Sequence, residues 1–170
     1  MSGPLDLSQY TVRTDLALEA HEMARQRRED GSDVPGVQIN EYEQDGITVS
    51  WITISDQQGS EELGKQPGKY LTLEVPGLRS KDSELQDRVA AKFAEEFERY
   101  LAALNIDPDA KILIIGLGNR RVTADALGPT VVNNILVTRH LFELMPEQVE
   151  EGYRPVSAIS PGVLGTTGIE

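Results

Sequence analysis

The chain has 170 residues, which is enough for one domain with a short tail, and 28 acidic against 16 basic side chains give it a formal net charge of −12. This charge disfavours direct binding to nucleic-acid phosphates. The absence of cysteine and the presence of only two histidines exclude disulfides, thiolate catalysis and cysteine- or histidine-rich metal sites. The sequence also lacks a signal-peptide pattern and any apolar run of the roughly 18 residues that a membrane span needs.

The first part of the chain is predicted to contain a helix and three strands. Apolar periodicity and loop signals place the helix over residues 14–28 and the strands over residues 37–42, 47–54 and 70–75. Asp45 and Gly46 are a tight-turn signal between the first two strands. These two strands are therefore expected to pair as a hairpin.

A long amphipathic helix is predicted next. Ser83 and Gln86 have the spacing of a capping box, which marks a helix start. Apolar residues then recur at three- and four-residue steps, namely Leu85, Val89, Phe93, Phe97, Tyr100, Leu101 and Leu104. This spacing predicts a helix of about six turns whose apolar face packs on a core.

The last part of the chain is predicted to begin a parallel sheet. Residues 111–117 are a continuous apolar run, typical of a strand covered on both faces by helices. A second core strand is predicted over residues 154–160, followed by a glycine-rich loop over residues 161–168. A parallel sheet that begins so late is not completed by residue 170, so the sequence is expected to be truncated.

Residues 116–129 join the first apolar strand to the next predicted helix. Open α/β sheets bind ligands at this end of their strands. Gly116 and Gly118 resemble the start of a dinucleotide-binding loop, but Arg121 stands where the third glycine would be. Nucleotide binding is therefore not predicted. Asn119, after the glycines, is expected either to hydrogen-bond the loop or to have a purely structural role.

Asp125 is the carboxylate of this loop. A helix that began at Thr123 would bring the ring of Pro129 against the carbonyl group of Asp125, whereas Pro129 at the first helical position, after Gly128, avoids the clash. Asp125 is therefore expected outside the cap position, on irregular backbone. The position of Asp125 in the sequence fits two roles equally well. Asp125 could be a loop residue that only forms hydrogen bonds, or it could be a general acid or base.

Three other polar residues are given no chemical role by their positions. His21 is expected to be exposed in a charged segment. His140 is expected to be packed or to lie at a helix end rather than to bind a ligand. Arg139 is expected to form a surface ion pair.

Six stretches of the sequence resemble a known family. They are residues 5–10 (LDLSQY), 12–17 (VRTDLA), 116–119 (GLGN), 125–129 (DALGP), 138–144 (TRHLFEL) and 154–159 (RPVSAI). Together they are similar to the N-terminal part of the germination proteases of spore-forming bacteria, which are aspartic-type endopeptidases. The resemblance extends over almost the whole chain.

The resemblance implies a fold and a function. The fold is a three-layer α/β, phosphorylase/hydrolase-like fold related to the hydrogenase-maturation proteases. The function is that of an endopeptidase zymogen, a homotetramer without a cofactor, which degrades the small acid-soluble proteins that coat spore DNA when the spore germinates. This function places the protein in the cytoplasm of the forespore and in the spore core. No nucleic acid, membrane or metal is expected as a partner.

The resemblance also assigns site residues. The family is thought to use two aspartates, of which the first maps onto Asp125, with Gly116, Gly118 and Asn119 as a possible active-site loop. The second belongs to a segment that this chain does not contain. Ala124 stands where relatives are expected to have proline, which is a departure that could loosen the loop. A carboxylate pair fits the chemistry, since one ionised and one protonated group are needed.

A propeptide is predicted at the N-terminus. Residues 14–19 (TDLALE) are similar to the Glu–apolar–Ala–x–Glu sites that the family recognises in its substrates. The predicted cut lies between Asp15 and Leu16, which makes residues 1–15 the propeptide and residues 16–170 the N-terminal part of one peptidase domain. The alternative is that Asp15 only stabilises a helix N-terminus.

Two further functions remain open at this point. Asp125 and a later carboxylate could hold a metal, as in a maturation-type protease. The chain could also be an inactive fragment that binds spore proteins without cutting them. In each case the isolated 170-residue chain is expected to be inactive as a protease.

Overall fold

The computed structural model describes residues 16–28, 32–107 and 109–167. The chain forms two compact units, residues 1–100 and 101–170. The fold is mixed α/β, with an antiparallel sheet in the first unit and a parallel sheet in the second. The predicted α/β class and the parallel pairing are therefore confirmed.

The first unit is built around a three-stranded antiparallel sheet. Its elements in chain order are α1 (Ala17–Arg27), β1 (Val37–Gln44), β2 (Ile47–Ile54), α2 (Gln57–Leu63), β3 (Gly68–Glu74), a 3-10 turn (Leu78–Ser80) and α3 (Ser83–Ala103), which continues into the second unit. The strand order is β1–β2–β3. Asp45 and Gly46 both have positive φ, as a two-residue hairpin turn requires, so the predicted hairpin is confirmed.

The core of the first unit lies between β2 and α1. Alternation along β2 points Ile52 and Ile54 to the side of the sheet on which α1 lies. The helix contributes small side chains at a spacing of three and four residues, namely Ala17, Ala20 and Ala24. Small residues on the helix allow its backbone to approach the sheet closely, and Leu63 of α2 completes this cluster.

Helix α3 differs from its prediction in both its cap and its buried face. The cap is Asp82, whose carboxylate accepts the N–H groups of Glu84 and Leu85, and not Ser83. Phe93 and Phe97, predicted to lie in the core, are 53% and 44% exposed. The buried residues of α3 are instead Lys92 and Glu96. The predicted apolar face is therefore only partly correct, since four of its residues are half-buried, namely Leu85, Val89, Tyr100 and Leu101. The two fully buried positions belong to a polar network that is described below.

The second unit is built around a two-stranded parallel sheet. Its elements are β4 (Ile112–Leu117), a 3-10 turn (Thr123–Asp125), α4 (Leu127–Asn134), α5 (Arg139–Leu144), a 3-10 turn (Pro146–Gln148), β5 (Val156–Gly162) and α6 (Leu164–Thr167). The predicted loop after residue 160 is corrected, because β5 continues to Gly162 and α6 follows. Buried Thr138 supports β5, since its hydroxyl accepts the N–H of Val156.

The two faces of β4 differ. Helix α4 covers one face, where a Cβ on buried Gly116 would lie 2.6 Å from a methyl group of Val132. The side chains of the opposite face are exposed, namely those of Leu113, Ile115 and Leu117. The prediction of a strand covered on both faces is therefore wrong for the residues that the structure describes. None of the helices in the described part of the chain is long and apolar enough to cross a membrane.

Candidate active site

The carboxyl end of β4 and the start of α4 meet through two glycines. A Cβ on Gly116 would lie 2.3 Å from the carbonyl oxygen of Gly128, and a Cβ on Gly128 would lie 2.2 Å from the carbonyl oxygen of Leu117. Both distances are far below van der Waals contact. Only glycine at both positions lets the first turn of α4 pack directly on the strand end, which brings Asp125 beside it.

Gly118 is the point of closest approach to Asp125. Its φ of 124° lies in a region that favours glycine. A Cβ on Gly118 would lie 2.1 Å from the carbonyl oxygen of Asp125 and 3.1 Å from its Oδ1. The backbone of the strand end therefore sets the position of the carboxylate.

Hydrogen bonds close the loop between Asn119 and Asp125. The N–H of Asn119 donates to Oδ2 of Asp125 over 2.7 Å and to its carbonyl oxygen over 3.0 Å. The N–H of Asp125 donates to the carbonyl oxygen of Val122. The side-chain Oδ1 of Asn119 accepts the N–H of Arg121 over 2.9 Å. Asn119 therefore contacts the loop through both its backbone and its side chain.

Pro129 lies two residues further into α4 than predicted. The helix begins at Leu127, so Pro129 is its third residue and not its first. A proline in the first turn is tolerated because the N–H groups of that turn have no intrahelical partner. Proline has no N–H, so residue 129 cannot donate a hydrogen bond to the carbonyl oxygen of Asp125. That oxygen accepts the N–H of Asn119 instead. Asp125 does lie outside the cap position, as predicted, because the cap residue is Ala126. It ends a 3-10 turn, however, and does not lie on irregular backbone as expected.

The carboxylate of Asp125 is exposed and has one oxygen committed to the backbone. Among the described residues, Asn119 is its only hydrogen-bond donor, and Oδ1 accepts no hydrogen bond from them. An ionised carboxylate in this arrangement can accept a proton from a water molecule. A single carboxylate cannot also be the protonated group that donates to a leaving atom. The described ranges contain no group of three His, Cys, Asp or Glu side chains that could hold a metal ion.

A second carboxylate, Glu96, is fully buried in the first unit, and sequence reasoning missed it. It accepts hydrogen bonds from the Tyr42 hydroxyl, from Nε1 of Trp51 over 2.8 Å and from Nη1 of Arg99 over 2.9 Å. Nζ of Lys92 lies 3.6 Å from its Oε1. The only signal in the sequence is the helical spacing of these charges, which is more often a solvated face.

The environment of Glu96 keeps it ionised. Burial by itself raises the pKa of Glu96, but the hydrogen bonds from Tyr42, Trp51 and Arg99 outweigh burial and lower it below its ordinary value. Burial and the hydrogen bond to Glu96 raise the pKa of Tyr42. Glu96 is thus saturated with donors, which suits a structural role and leaves it unsuited to proton transfer.

The remaining predicted positions can be placed in the same way. His21 is buried and not exposed as predicted, because it lies on the face of α1 that packs inward, and this burial lowers its pKa. His140 lies near the start of α5 and is exposed, as expected for a helix end. Arg139 forms the predicted surface ion pair, with Glu143 over 3.3 Å.

The predicted propeptide boundary lies at the edge of the described structure. Asp15 is outside the described residues, as is the rest of the predicted propeptide. Leu16 immediately precedes α1, has extended backbone and is 45% exposed.

Comparison with known proteins gives one consistent result. A family model described as germination protease matches residues 17–170 of this chain. The chain is 58% identical to a germination protease of Bacillus cereus, 57% identical to one of Bacillus mycoides and 56% identical to one of Bacillus cytotoxicus, each over 170 residues. Each alignment covers 100% of this chain and 46% of the relative. The chain thus spans about half the length of these curated relatives.

Proposed function

This chain belongs to the germination protease family, and we propose that it forms the N-terminal part of an endopeptidase that acts in spore germination. The observation that carries the assignment of a site is the hydrogen bond from the N–H of Asn119 to Oδ2 of Asp125 at the carboxyl end of β4. It holds an exposed carboxylate at the edge of a parallel sheet, where α/β enzymes place their ligands.

In the proposed mechanism, Asp125 is the general base. Its free Oδ1 takes a proton from water, and the water oxygen attacks the carbonyl carbon of the peptide bond. A second, protonated carboxyl group elsewhere in the full-length protein donates its proton toward the carbonyl oxygen. Collapse of the tetrahedral intermediate breaks the C–N bond, and the amine leaves with a proton returned from a carboxyl group. Gly118 and Asn119 position Asp125 through their backbones.

The finer features of the function rest on the resemblance to the family. We propose that the full-length protein is an aspartic-type zymogen of the forespore and spore cytoplasm, that it assembles as a homotetramer and that its substrates are small acid-soluble spore proteins. We also propose that its fold is the three-layer, phosphorylase/hydrolase-like fold related to the hydrogenase-maturation proteases. The mixed α/β architecture and the parallel pairing of β4 with β5 are compatible with this fold.

The test of the site is Asp125→Asn in the full-length protein. This change keeps the size of the side chain but removes the base, so we expect cleavage of a spore-protein substrate to fall by about 100-fold or more, with folding intact. Asp109→Asn is the matched control, because Asp109 is an exposed aspartate of the same unit outside this loop, and it should remain active. Retention of more than about a tenth of the activity by Asp125→Asn would refute the assignment.

Inhibition by a chelator, reversed by added metal, would instead favour the metal-dependent alternative. The assay should therefore include a chelator arm with both variants.

A further inference from the structure

A closed cycle of hydrogen bonds connects Asn119 to Asp125. The backbone N–H of Asn119 donates to Oδ2 of Asp125 over 2.7 Å. In the other direction along the loop, the carbonyl oxygen of Asn119 accepts the N–H of Val122 over 3.0 Å, and the carbonyl oxygen of Val122 accepts the N–H of Asp125 over 2.9 Å. The cycle begins and ends at Asn119, so the backbone conformation at this residue determines where the carboxylate of Asp125 is held.

The side chain of Asn119 stabilises the turn that this cycle requires. Its Oδ1 accepts the N–H of Arg121, two residues further along the chain, over 2.9 Å. This contact is an Asx turn, in which the side chain takes the place of a backbone carbonyl group and bends the chain. Residues 120–125 are all exposed, so packing contributes little to the order of this loop and its hydrogen bonds contribute most.

We propose that the side chain of Asn119 is a positioning residue for the general base Asp125. Its Asx turn keeps Oδ2 on the backbone and presents Oδ1, which accepts no hydrogen bond from the described residues, to the attacking water. The inference rests on the proposed function of Asp125 and adds a side chain that acts on the base without touching the substrate. A general base is effective only when its reacting oxygen is held within hydrogen-bond reach of the proton that it takes.

The test measures kcat and KM of the full-length protein on one spore-protein substrate. Asn119→Ala removes the acceptor for the N–H of Arg121. We expect kcat to fall about tenfold, because the loss of one hydrogen bond lets the base leave its reactive position, and KM to stay within about twofold of wild type.

Rescue by a retained acceptor separates the Asx turn from the size of the side chain. Asn119→Asp and Asn119→Ser both keep an oxygen that can accept the N–H of Arg121. Aspartate matches the geometry of asparagine more closely, whereas serine adds no charge beside Asp125. At least one of the two variants should therefore recover kcat to within about threefold of wild type.

Asn134→Ala is the matched control. The Nδ2 of Asn134 donates to the carbonyl oxygen of Thr130 over 2.8 Å, so this asparagine also has a local contact with the backbone, but it lies on α4 outside the cycle. Asn134→Ala should keep the kcat of wild type. Urea unfolding checks that both alanine variants remain folded.

Amide hydrogen exchange, followed by mass spectrometry without substrate, measures the turn independently of catalysis. Residues 119–125 should exchange about tenfold faster in Asn119→Ala than in wild type, and at the wild-type rate in Asn134→Ala. This measurement uses the same full-length proteins as the kinetic assay.

An unchanged kcat in Asn119→Ala, an equal loss in Asn134→Ala, a loss confined to KM, unchanged exchange of the loop, or the absence of rescue by both aspartate and serine would each overturn the proposal. Failure of the proposed function reads out differently, because Asp125→Asn would then be fully active while the loop of Asn119→Ala would still exchange faster.

Discussion

At the scale of single residues, two carboxylates show opposite environments. Glu96 is fully buried and surrounded by donors, whereas Asp125 is exposed and accepts one backbone N–H. A carboxylate saturated with side-chain donors stabilises the fold but cannot readily take up a proton. A carboxylate with one oxygen fixed by a backbone N–H has a defined orientation, and its other oxygen accepts no hydrogen bond from the described residues. The contrast supports a chemical role for Asp125 and a structural role for Glu96.

The Glu96 network predicts a dependence of stability on pH. Because the pKa of Glu96 is lower in the folded than in the unfolded protein, its contribution is fully present above the ordinary value of 4.5. That contribution is lost as the pH falls through the lower pKa of the folded state. Glu96→Gln should therefore destabilise the full-length protein by about 3 kcal/mol at neutral pH, since it leaves buried donors poorly matched.

Urea unfolding at neutral and at acidic pH measures this effect. The difference between wild type and Glu96→Gln should shrink as the pH falls. Glu95→Gln is the control, because Glu95 is exposed and forms an ion pair with Lys92 at the surface of the helix, and it should change stability little. A constant difference at all pH values would contradict the assignment.

At the residue level, the sequence indicated which positions meet at the strand end. Gly116 lies in the apolar strand, Gly118 and Asp125 follow it, and the structure brings the three residues together at its end. Prediction from the sequence failed for Glu96, because charges at helical spacing ordinarily face water. Nothing in the sequence indicates that Tyr42 and Trp51 lie opposite these charges. Such a network depends on contacts between residues far apart in the chain.

At the scale of elements, strongly periodic segments were predictable and short ones were not. The hairpin of β1 and β2 follows from alternation and from the turn at Asp45 and Gly46. Helix α2 was missed, although Asp56 caps it by accepting the N–H of Gly59 and Gly64 ends it in the left-handed conformation. A helix of two turns contains too few apolar residues to show a period. Its caps were the only signal.

The start of α1 predicts how the N-terminus is processed. We expect the activated full-length protein to begin at Leu16, after a cut that follows Asp15. Leu16 is extended and exposed, and the buried residues of α1 begin at Ala17, so the cut leaves the packed helix intact. N-terminal sequencing of the activated protein measures this, and the full-length Asp125→Asn protein should keep residues 1–15. A mature chain that begins at Met1 or far from Leu16 would contradict the propeptide.

At the scale of the whole molecule, the class of the fold was predictable, but which faces of its parallel sheet are covered was not. The apolar run over β4 predicted a parallel sheet, and β4 does pair in parallel with β5. The same run predicted cover on both faces, yet Leu113, Ile115 and Leu117 are exposed. A hydrophobic pattern indicates which residues favour burial, but it does not indicate which segment of the chain covers them. The 46% coverage of the relatives means that much of their length has no counterpart in these 170 residues.

The last prediction concerns the activity of the 170-residue chain by itself. We expect it to show no peptide cleavage that depends on Asp125, because a pair of carboxyl groups must supply one ionised and one protonated form, and one aspartate cannot be both at once. The exposed apolar face of β4 should also promote self-association. The purified chain, its Asp125→Asn form and the full-length protein are compared on one spore-protein substrate, with light scattering for the state of association. Robust cleavage by the 170-residue chain that disappears in Asp125→Asn would overturn the two-carboxylate mechanism.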